Sequence, residues 1–273
     1  MNSPKRKPFL KWPGGKYRVL PSLLPHFKPG ARLIEPFLGA GAVFLNTDYK
    51  RYLLADTNPD LIGLYQQLAE EGEGFIRYCR RFFTAEHNCE DGFYTLRDKF
   101  NRSNSRRRRA ALFIYLNRHC FNGLCRYNSS GKFNAPFGCY SRPYFPLKEM
   151  QQFIRHADRA EFLQAGFTAT MRQARRGDVI YCDPPYVPLS STAAFTEYHA
   201  GGFDWADQTL LTETARHIAE RGVQVLISNH DTRKIRALYR QAGAAIHGFA
   251  VRRSISANGA NREQVNELLA VFE

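Results

Sequence analysis

Four consecutive residues, Asp183-Pro184-Pro185-Tyr186, follow the apolar run Val179–Cys182. If that run is a strand, they sit at its carboxyl end, where open α/β sheets place their ligands. A proline-rich strand exit is the plain alternative, but together the four residues suit one chemistry. An exocyclic amine on a nucleobase is a poor nucleophile, because its lone pair is delocalised into the ring. The Asp183 carboxylate and the Pro184 carbonyl can accept its two N–H bonds and aim the nitrogen at a methyl donor. Proline brings no N–H of its own and stiffens the turn. Tyr186 offers a ring on which an extruded base can stack.

A second group lies near the N-terminus. Glu35-Pro36-Phe37-Leu38-Gly39-Ala40-Gly41 joins a short apolar strand to a glycine turn. Glycines there let the backbone approach a ligand closely. Phe44 stands where a dinucleotide fingerprint would have its third glycine. Asp56 comes 21 residues after Glu35, at the end of the next apolar run. An acid at that place in a first β-α-β unit accepts hydrogen bonds from ribose hydroxyls, although Asp56, Thr57 and Asn58 can all cap a helix as well. Turn and acid together point to a nucleoside-bearing ligand, and by themselves leave NAD and S-adenosylmethionine open.

The 273 residues carry 39 Lys+Arg against 25 Asp+Glu, a formal net charge of +14. The surplus is local. Residues 97–148 hold 12 basic groups and one acid, Asp98, which is +11 in 52 residues. The other 221 residues are close to neutral, with 27 basic and 24 acidic groups. Aromatic and Asn residues are interleaved with this charge: Phe121, Asn122, Tyr127, Asn128, Phe133, Asn134, Tyr140 and Tyr144. Cations bind phosphates, Asn and Arg read base edges, and rings stack on bases, so nucleic-acid contact is favoured over a merely solvated face. The run Arg106–Arg109 opens an apolar segment, and four cations at a helix start oppose the macrodipole. A compensating partner, DNA or a nearby acid, is therefore expected.

The elements that must position these groups alternate. Strands are expected at 32–37, 51–56, 160–165, 179–182, 223–228, 244–251 and 265–272. Helices are expected to follow the glycine turn at 41, to start at Asn58-Pro59, and to occupy 73–83, 92–100, 106–118, 149–157, 206–221 and 232–242. Segment 106–118 reads as one apolar face behind a basic first turn. Residues 119–147 are rich in Gly, Asn, Ser and Pro, with a hairpin turn expected at Ser129–Lys132. Alternation of this kind argues for a doubly wound α/β sheet. The simplest organisation is an α/β domain of residues 1–70 and 150–273, interrupted by a recognition insertion at 71–149.

Several classes are disfavoured. A hydrophobic fraction of 44% argues against a disordered chain. No apolar run is long enough for a transmembrane helix, and none follows the basic N-terminus as a secretory signal would. The six cysteines (79, 89, 120, 125, 139 and 182) show no zinc-ligand spacing and read as reduced, mostly buried thiols of a cytoplasmic protein. No metal site is expected. Ser190, Ser191 and His199 form no hydrolase triad.

The motifs and their order resemble a known family, the DNA adenine-N6 methyltransferases, and among them the Dam methylases that modify GATC. The resemblance spans nearly the whole chain. It is carried by 9–16 (Phe-Leu-Lys-Trp-Pro-Gly-Gly-Lys), Glu35–Phe44, Leu53–Asp56, Leu116–Arg118, Phe121–Asn128, Phe133–Gly138, Asp183–Tyr186, Ile227–Asp231 and Val251–Ser256. It implies a Rossmann-like S-adenosylmethionine-dependent methyltransferase sheet with an inserted, mostly helical and loop target recognition domain. The implied reaction is methyl transfer to N6 of adenine in double-stranded DNA. Asp183, Pro184 and Tyr186 take the catalytic positions. Trp12, Lys16, Glu35, Phe37, Gly39, Gly41, Asp56 and Asp183 take those of the cofactor. Trp12 would present a flat face near the sulfonium, a cation–π arrangement, and Lys16 a partner for the methionine carboxylate. On the DNA side Arg126 would read a guanine edge and Leu124 a thymine methyl. Phe121 and Asn122 would fill the gap left by the flipped adenine. Arg118, Asn128, Asn134 and Arg142 would meet phosphates, and Tyr140 completes the set. Phe121 stands where the family more often has Tyr, which keeps a ring and loses a hydroxyl. The family usually acts as a monomer. Within Ser228–Asp231, capping of the next helix by Asn229 or Asp231 is as good a reading as a place at the base pocket. Two rivals remain at this level: an amino methyltransferase of RNA or of a protein amide, and a non-catalytic basic DNA-binding protein.

Overall fold

The computed structural model describes residues 5–186, 203–252 and 264–273. Ser190, Ser191, His199 and Arg253–Ser256 lie outside the described residues. The chain is a mixed α/β protein with a seven-stranded sheet, and it packs as two compact units. One comprises Met1–Arg18, Gly39–Thr47 and Asp56–Gln164. The other comprises Val19–Leu38, Asp48–Ala55 and Ala165–Glu273.

The second unit holds six strands of the sheet. They are β1 (Arg32–Glu35), β2 (Arg51–Asp56, whose last residue belongs to the first unit), β4 (Asp178–Cys182), β5 (Gln224–His230), β6 (Ala245–Arg252) and β7 (Gln264–Phe272). Their order is β2-β1-β4-β5-β7-β6. The first four run parallel, with Leu33 opposite both Tyr52 and Val179, and Ile180 opposite Val225. β7 returns antiparallel between β5 and β6. Strands covered on both faces read as continuous apolar runs, and β4 is buried along its whole length. Strand order reverses at β1, so the carboxyl ends of β1 and β4 flank a topological switch point, the usual ligand crevice of such sheets. Glu35 ends β1 and Asp183 follows β4.

Helix α1 (Leu20–Leu23) precedes the sheet in this unit, and α7 (Phe167–Met171), α8 (Trp205–Ala219) and α9 (Arg233–Gln241) connect its strands. A capping box of Asp204 and Asp207 starts α8. Thr232 accepts the Ile235 N–H and starts α9. Neither Asn229 nor Asp231 caps that helix: Asn229 is buried inside β5, and Asp231 is paired with Arg236. Arg32 at the start of β1 reaches Asp178 at the start of β4, 2.6 Å away, and ties the two strands at the end away from the crevice.

The first unit is mostly helical: α2 (Pro59–Glu71), α3 (Glu73–Arg80), α4 (Glu90–Arg102), α5 (Arg106–His119) and α6 (Leu147–Ala157), with strand β3 (Ala160–Gln164). Phe9, Phe44, Tyr65, Phe153 and Phe162 form an aromatic core, with Tyr65 stacked on Phe153 at 5.1 Å. Residues Ala110 to Asn117 of α5 are all buried, so α5 is enclosed on every side instead of presenting the single apolar face expected of it.

The helix expected after Gly41 does not form. Only the short 3-10 turn Phe44–Asn46 follows. Asn46 donates its side-chain N–H to the Ala42 carbonyl (2.8 Å), and the Thr47 hydroxyl donates to that of Val43 (3.0 Å). Side chains thus take carbonyls that an α-helix would need for its own ladder.

Candidate functional site

Of the residues expected at the cofactor, Trp12, Gly39 and Asp56 meet at one turn. Gly39 adopts φ +47, a left-handed conformation that disfavours side chains. Its N–H donates to Asp56 Oδ2 (3.1 Å), and its carbonyl accepts from the Tyr65 hydroxyl (2.7 Å). A Cβ built on Gly39 would lie 2.8 Å from Trp12 Nε1 and 3.0 Å from Cδ1. The turn is therefore bare because the indole lies against it. Gly41 has φ +69, so two left-handed glycines shape the loop. Asp56 Oδ1 accepts the Asn58 N–H (3.0 Å), and burial raises the Asp56 carboxyl above the ordinary range. Of the three possible caps, Asn58 is the one used: its side chain accepts from Asp60 and Leu61 N–H. Asp56 is thus left facing Gly39. Lys16 is buried, with Nζ donating to the Gly14 carbonyl (2.7 Å).

The residues expected to meet DNA lie in the same unit. Asn117, wholly buried on α5, bonds both backbone groups of Lys11: its Oδ1 accepts the Lys11 N–H (2.9 Å) and its Nδ2 donates to the Lys11 carbonyl (2.7 Å). Gly123 packs on the Lys11 side chain so tightly that a Cβ would fall 2.4 Å from Lys11 Cβ. Between Asn117 and Gly123 the chain presents Phe121, half-exposed, and Asn122 at φ 52. The Asn122 N–H donates to the Tyr140 hydroxyl (3.0 Å), and Lys11 Nζ sits 4.1 Å from the centre of the Tyr140 ring. Asn122 and Cys139 are the two non-glycine residues with positive φ among the described residues, and both lie in this segment. Such backbone is costly and gathers where geometry serves a ligand.

Arg126 and Asn134 are brought together. Arg126 Nε donates to Asn134 Oδ1 (2.8 Å), and the Asn134 N–H donates to the Arg126 carbonyl (2.9 Å). Leu124, two residues before Arg126 in the chain, is half-buried. Asn128 accepts the Ser130 and Lys132 N–H groups and closes the expected hairpin turn. Arg118 spends Nε on the Tyr144 carbonyl (2.9 Å), and Arg142 is exposed.

The basic start of α5 has acids for partners. Arg106 pairs with Glu70 (2.7 Å), Arg107 with Glu71 (2.5 Å) and Arg109 with Asp60 (2.7 Å). This supplies the compensation that the macrodipole demanded. Asp60 also accepts the Tyr127 hydroxyl (2.8 Å), an anchor for the hairpin that sequence reasoning missed. Of the cysteines, 79, 120 and 182 are buried, but Cys89 and Cys139 are exposed, so the thiols are less buried than expected.

In the second unit, Asp183 is half-buried past the end of β4, and its charge helps raise the Tyr181, Cys182 and Tyr186 pKa values, which burial lifts first. Pro184 is buried. The Tyr186 ring meets His230 edge-on at 4.5 Å, and its hydroxyl donates to Glu267 (3.1 Å). Phe37 stacks on Phe167 at 5.5 Å and meets Phe203 edge-on. Glu35 is buried at the end of β1. No signal in the sequence marked Phe167, Gln208 or Glu267, because one core-like ring, one helical amide and one strand acid look ordinary in isolation.

Comparison with known proteins decides the class. The D12 class N6 adenine-specific DNA methyltransferase family matches over residues 12–255. The chain belongs to that family. It is 49% identical over 269 residues to a DNA adenine methylase of Vibrio cholerae, with 98% of this chain and 96% of the relative covered. The DNA adenine methylase of Escherichia coli K12 is 48% identical with the same coverage, and that of Serratia marcescens is 50% identical with 98% and 99% covered. This methyltransferase acts on adenine in DNA, and its methyl donor is S-adenosylmethionine. The residues present are of the kind that fits that donor: a bare Gly39 turn against the Trp12 indole, and beside it the half-buried Asp56 carboxylate, an acceptor of the type that takes ribose hydroxyls. No described helix of the methyltransferase is long and apolar enough to cross a membrane.

Proposed function

We propose that the enzyme methylates N6 of adenine in GATC, flipping the target base out of the duplex, as a monomer in the cytoplasm. The bound cofactor supplies the electrophilic methyl group and its leaving group. Trp12, Lys16, Glu35, Phe37, Gly39, Gly41 and Asp56 hold it, with Asp183 at its border. Asp183 and the Pro184 carbonyl accept the two N–H bonds of the adenine amine and orient its lone pair, while Tyr186 stacks on the base. Orientation and electrostatics are thus the protein's share of catalysis.

Residues 71–149 serve as the target recognition segment. Arg126 reads a guanine edge, Leu124 touches a thymine methyl, Phe121 and Asn122 fill the vacated position, and Arg118, Asn128, Asn134 and Tyr140 complete the contact with DNA. The observation that carries this reading is Phe121. It is 50% exposed on a turn fixed by Asn117, Gly123 and Tyr140, inside the most basic part of the chain. A large ring held out in that way suits insertion into a base stack.

The test is methyl incorporation into duplexes carrying GATC or singly altered sites. GATC is expected to be methylated far faster than any altered site; equal rates on all of them refute the specificity. Asp183→Ala is expected to abolish incorporation while DNA binding persists, and normal turnover of that variant refutes the assigned chemistry.

A further inference from the structure

Gln208 lies one residue past the capping box that starts α8, so the position of its side chain is set by a fixed helix start. It is wholly buried among apolar neighbours on the same helix, including Leu211 and Ala215. A buried amide is costly unless its hydrogen bonds are made. Here they are. Gln208 Oε1 accepts from Asn229 Nδ2 (3.1 Å) and from the Tyr239 hydroxyl (3.3 Å), and Asn229 Nδ2 also donates to the Tyr239 oxygen (3.0 Å). The closed triangle orients the amide, and its Nε2 then donates to the carbonyl of Pro185 (3.3 Å).

That last bond matters because of what the turn lacks. Pro184 and Pro185 have no N–H, so the Asp183–Tyr186 turn cannot be held through donors of its own at these two positions. Its carbonyls are the remaining handles. Gln208 takes the second of two consecutive carbonyls and leaves the first, that of Pro184, for the adenine amine. Asn229 adds a further tie, since its Oδ1 accepts the His230 N–H (2.8 Å) and the His230 ring packs on Tyr186.

We infer that Gln208, oriented by Asn229 and Tyr239, is a positioning residue that fixes the Asp183–Tyr186 turn in the geometry that receives the target amine. The inference rests on the role proposed above for Asp183 and Pro184. It adds a residue that the motifs do not contain.

The experiment is single-turnover methyl transfer on a GATC duplex, with DNA and cofactor affinities and melting temperature measured alongside. Gln208→Met keeps the volume and loses the donor. Its transfer rate constant is expected to fall about tenfold, with both affinities within about twofold. Tyr239→Phe removes one of the two bonds that orient Gln208 but leaves the Asn229 bond and the Gln208–Pro185 bond, and it is expected to lower the melting temperature and to slow transfer by less than about twofold. Should Gln208→Met fail to fold, Gln208→Leu, which is close in size and also loses the donor, carries the same expectation. A wild-type rate in the folded Gln208 variant, or an equal slowing in Tyr239→Phe, overturns the inference. Asp183→Asn separates the two levels. If it transfers normally, the reading of the turn itself fails; if it is inactive while the Gln208 variant is normal, only the positioning role fails.

Discussion

Replacing Gly39 by alanine isolates the contact between Trp12 and the glycine turn. Two costs add. The left-handed backbone at φ +47 penalises an L side chain by about 1–2 kcal/mol. The new methyl would also lie 2.8 Å from Trp12 Nε1, well inside van der Waals contact. The backbone cannot easily yield, because Asp56 holds the Gly39 N–H and Tyr65 its carbonyl. The indole must move instead, at a further cost of about 1–2 kcal/mol. Gly243 provides the control: it has φ +89 and nothing within 4 Å of a built Cβ, so Gly243→Ala pays the backbone term alone. In thermal unfolding, Gly243→Ala is expected to lose roughly 2–4 °C and Gly39→Ala about twice that. In calorimetric titration with S-adenosylmethionine, Gly39→Ala is expected to weaken binding about tenfold, a loss of about 1.4 kcal/mol, while Gly243→Ala leaves it unchanged. A double-mutant cycle completes the test. In a Trp12→Ala background the excess cost of Gly39→Ala should vanish. If it persists undiminished, the indole is not what the turn is bare for, and the reasoning fails.

Three further outcomes follow from the same structure. Asp60→Ala strands Arg109 and Tyr127 and is expected to cost about 2–4 kcal/mol in urea unfolding, whereas loss of the exposed Glu70 partner costs below about 0.5 kcal/mol. His119 is 1% exposed, and burial pulls its pKa down to about 4. Because the folded value lies below the unfolded one of about 6.5, the neutral ring contributes its full stability above that pH and loses it as pH falls toward 4. His119→Gln should therefore flatten the decline in unfolding free energy between pH 7.5 and pH 5 by about 2 kcal/mol. DNA affinity should fall with added salt by about 0.9 log unit per log unit for each phosphate neutralised, while cofactor affinity barely changes; parallel slopes would refute a basic recognition segment separate from the cofactor cradle.

Much of this was legible in the residues. Strand β2 and the start of α2 were readable to the residue, since an apolar run ending in Asp56 and a cap before Pro59 are local signals. The strand before Asp183 was equally local, since the apolar run 179–182 is β4 but for its first residue. The stretch after Gly41 misled because its apolar composition suits a helix, while Asn46 and Thr47 take back the carbonyls that a helix requires. The enclosure of α5 was hidden for another reason: Asn117 looks polar and surface-bound until its partner, 106 residues earlier in the chain, is known. Gln208, Asp60 and Glu267 share that character. Each acts across a long sequence separation, and periodicity carries no information about such partners.

The two-handed grip of Asn117 on Lys11 has a consequence in genetic terms. A side chain that must both give and receive at one backbone residue needs an amide, so aspartate and leucine, each close in size, supply half of the pairing or none. The same helix turn secures the segment that ends in Trp12 and the loop that displays Phe121. A change at codon 117 would therefore be pleiotropic. On the roles proposed for Trp12 and Phe121, it would present at once as a cofactor mutant and as a DNA-contact mutant.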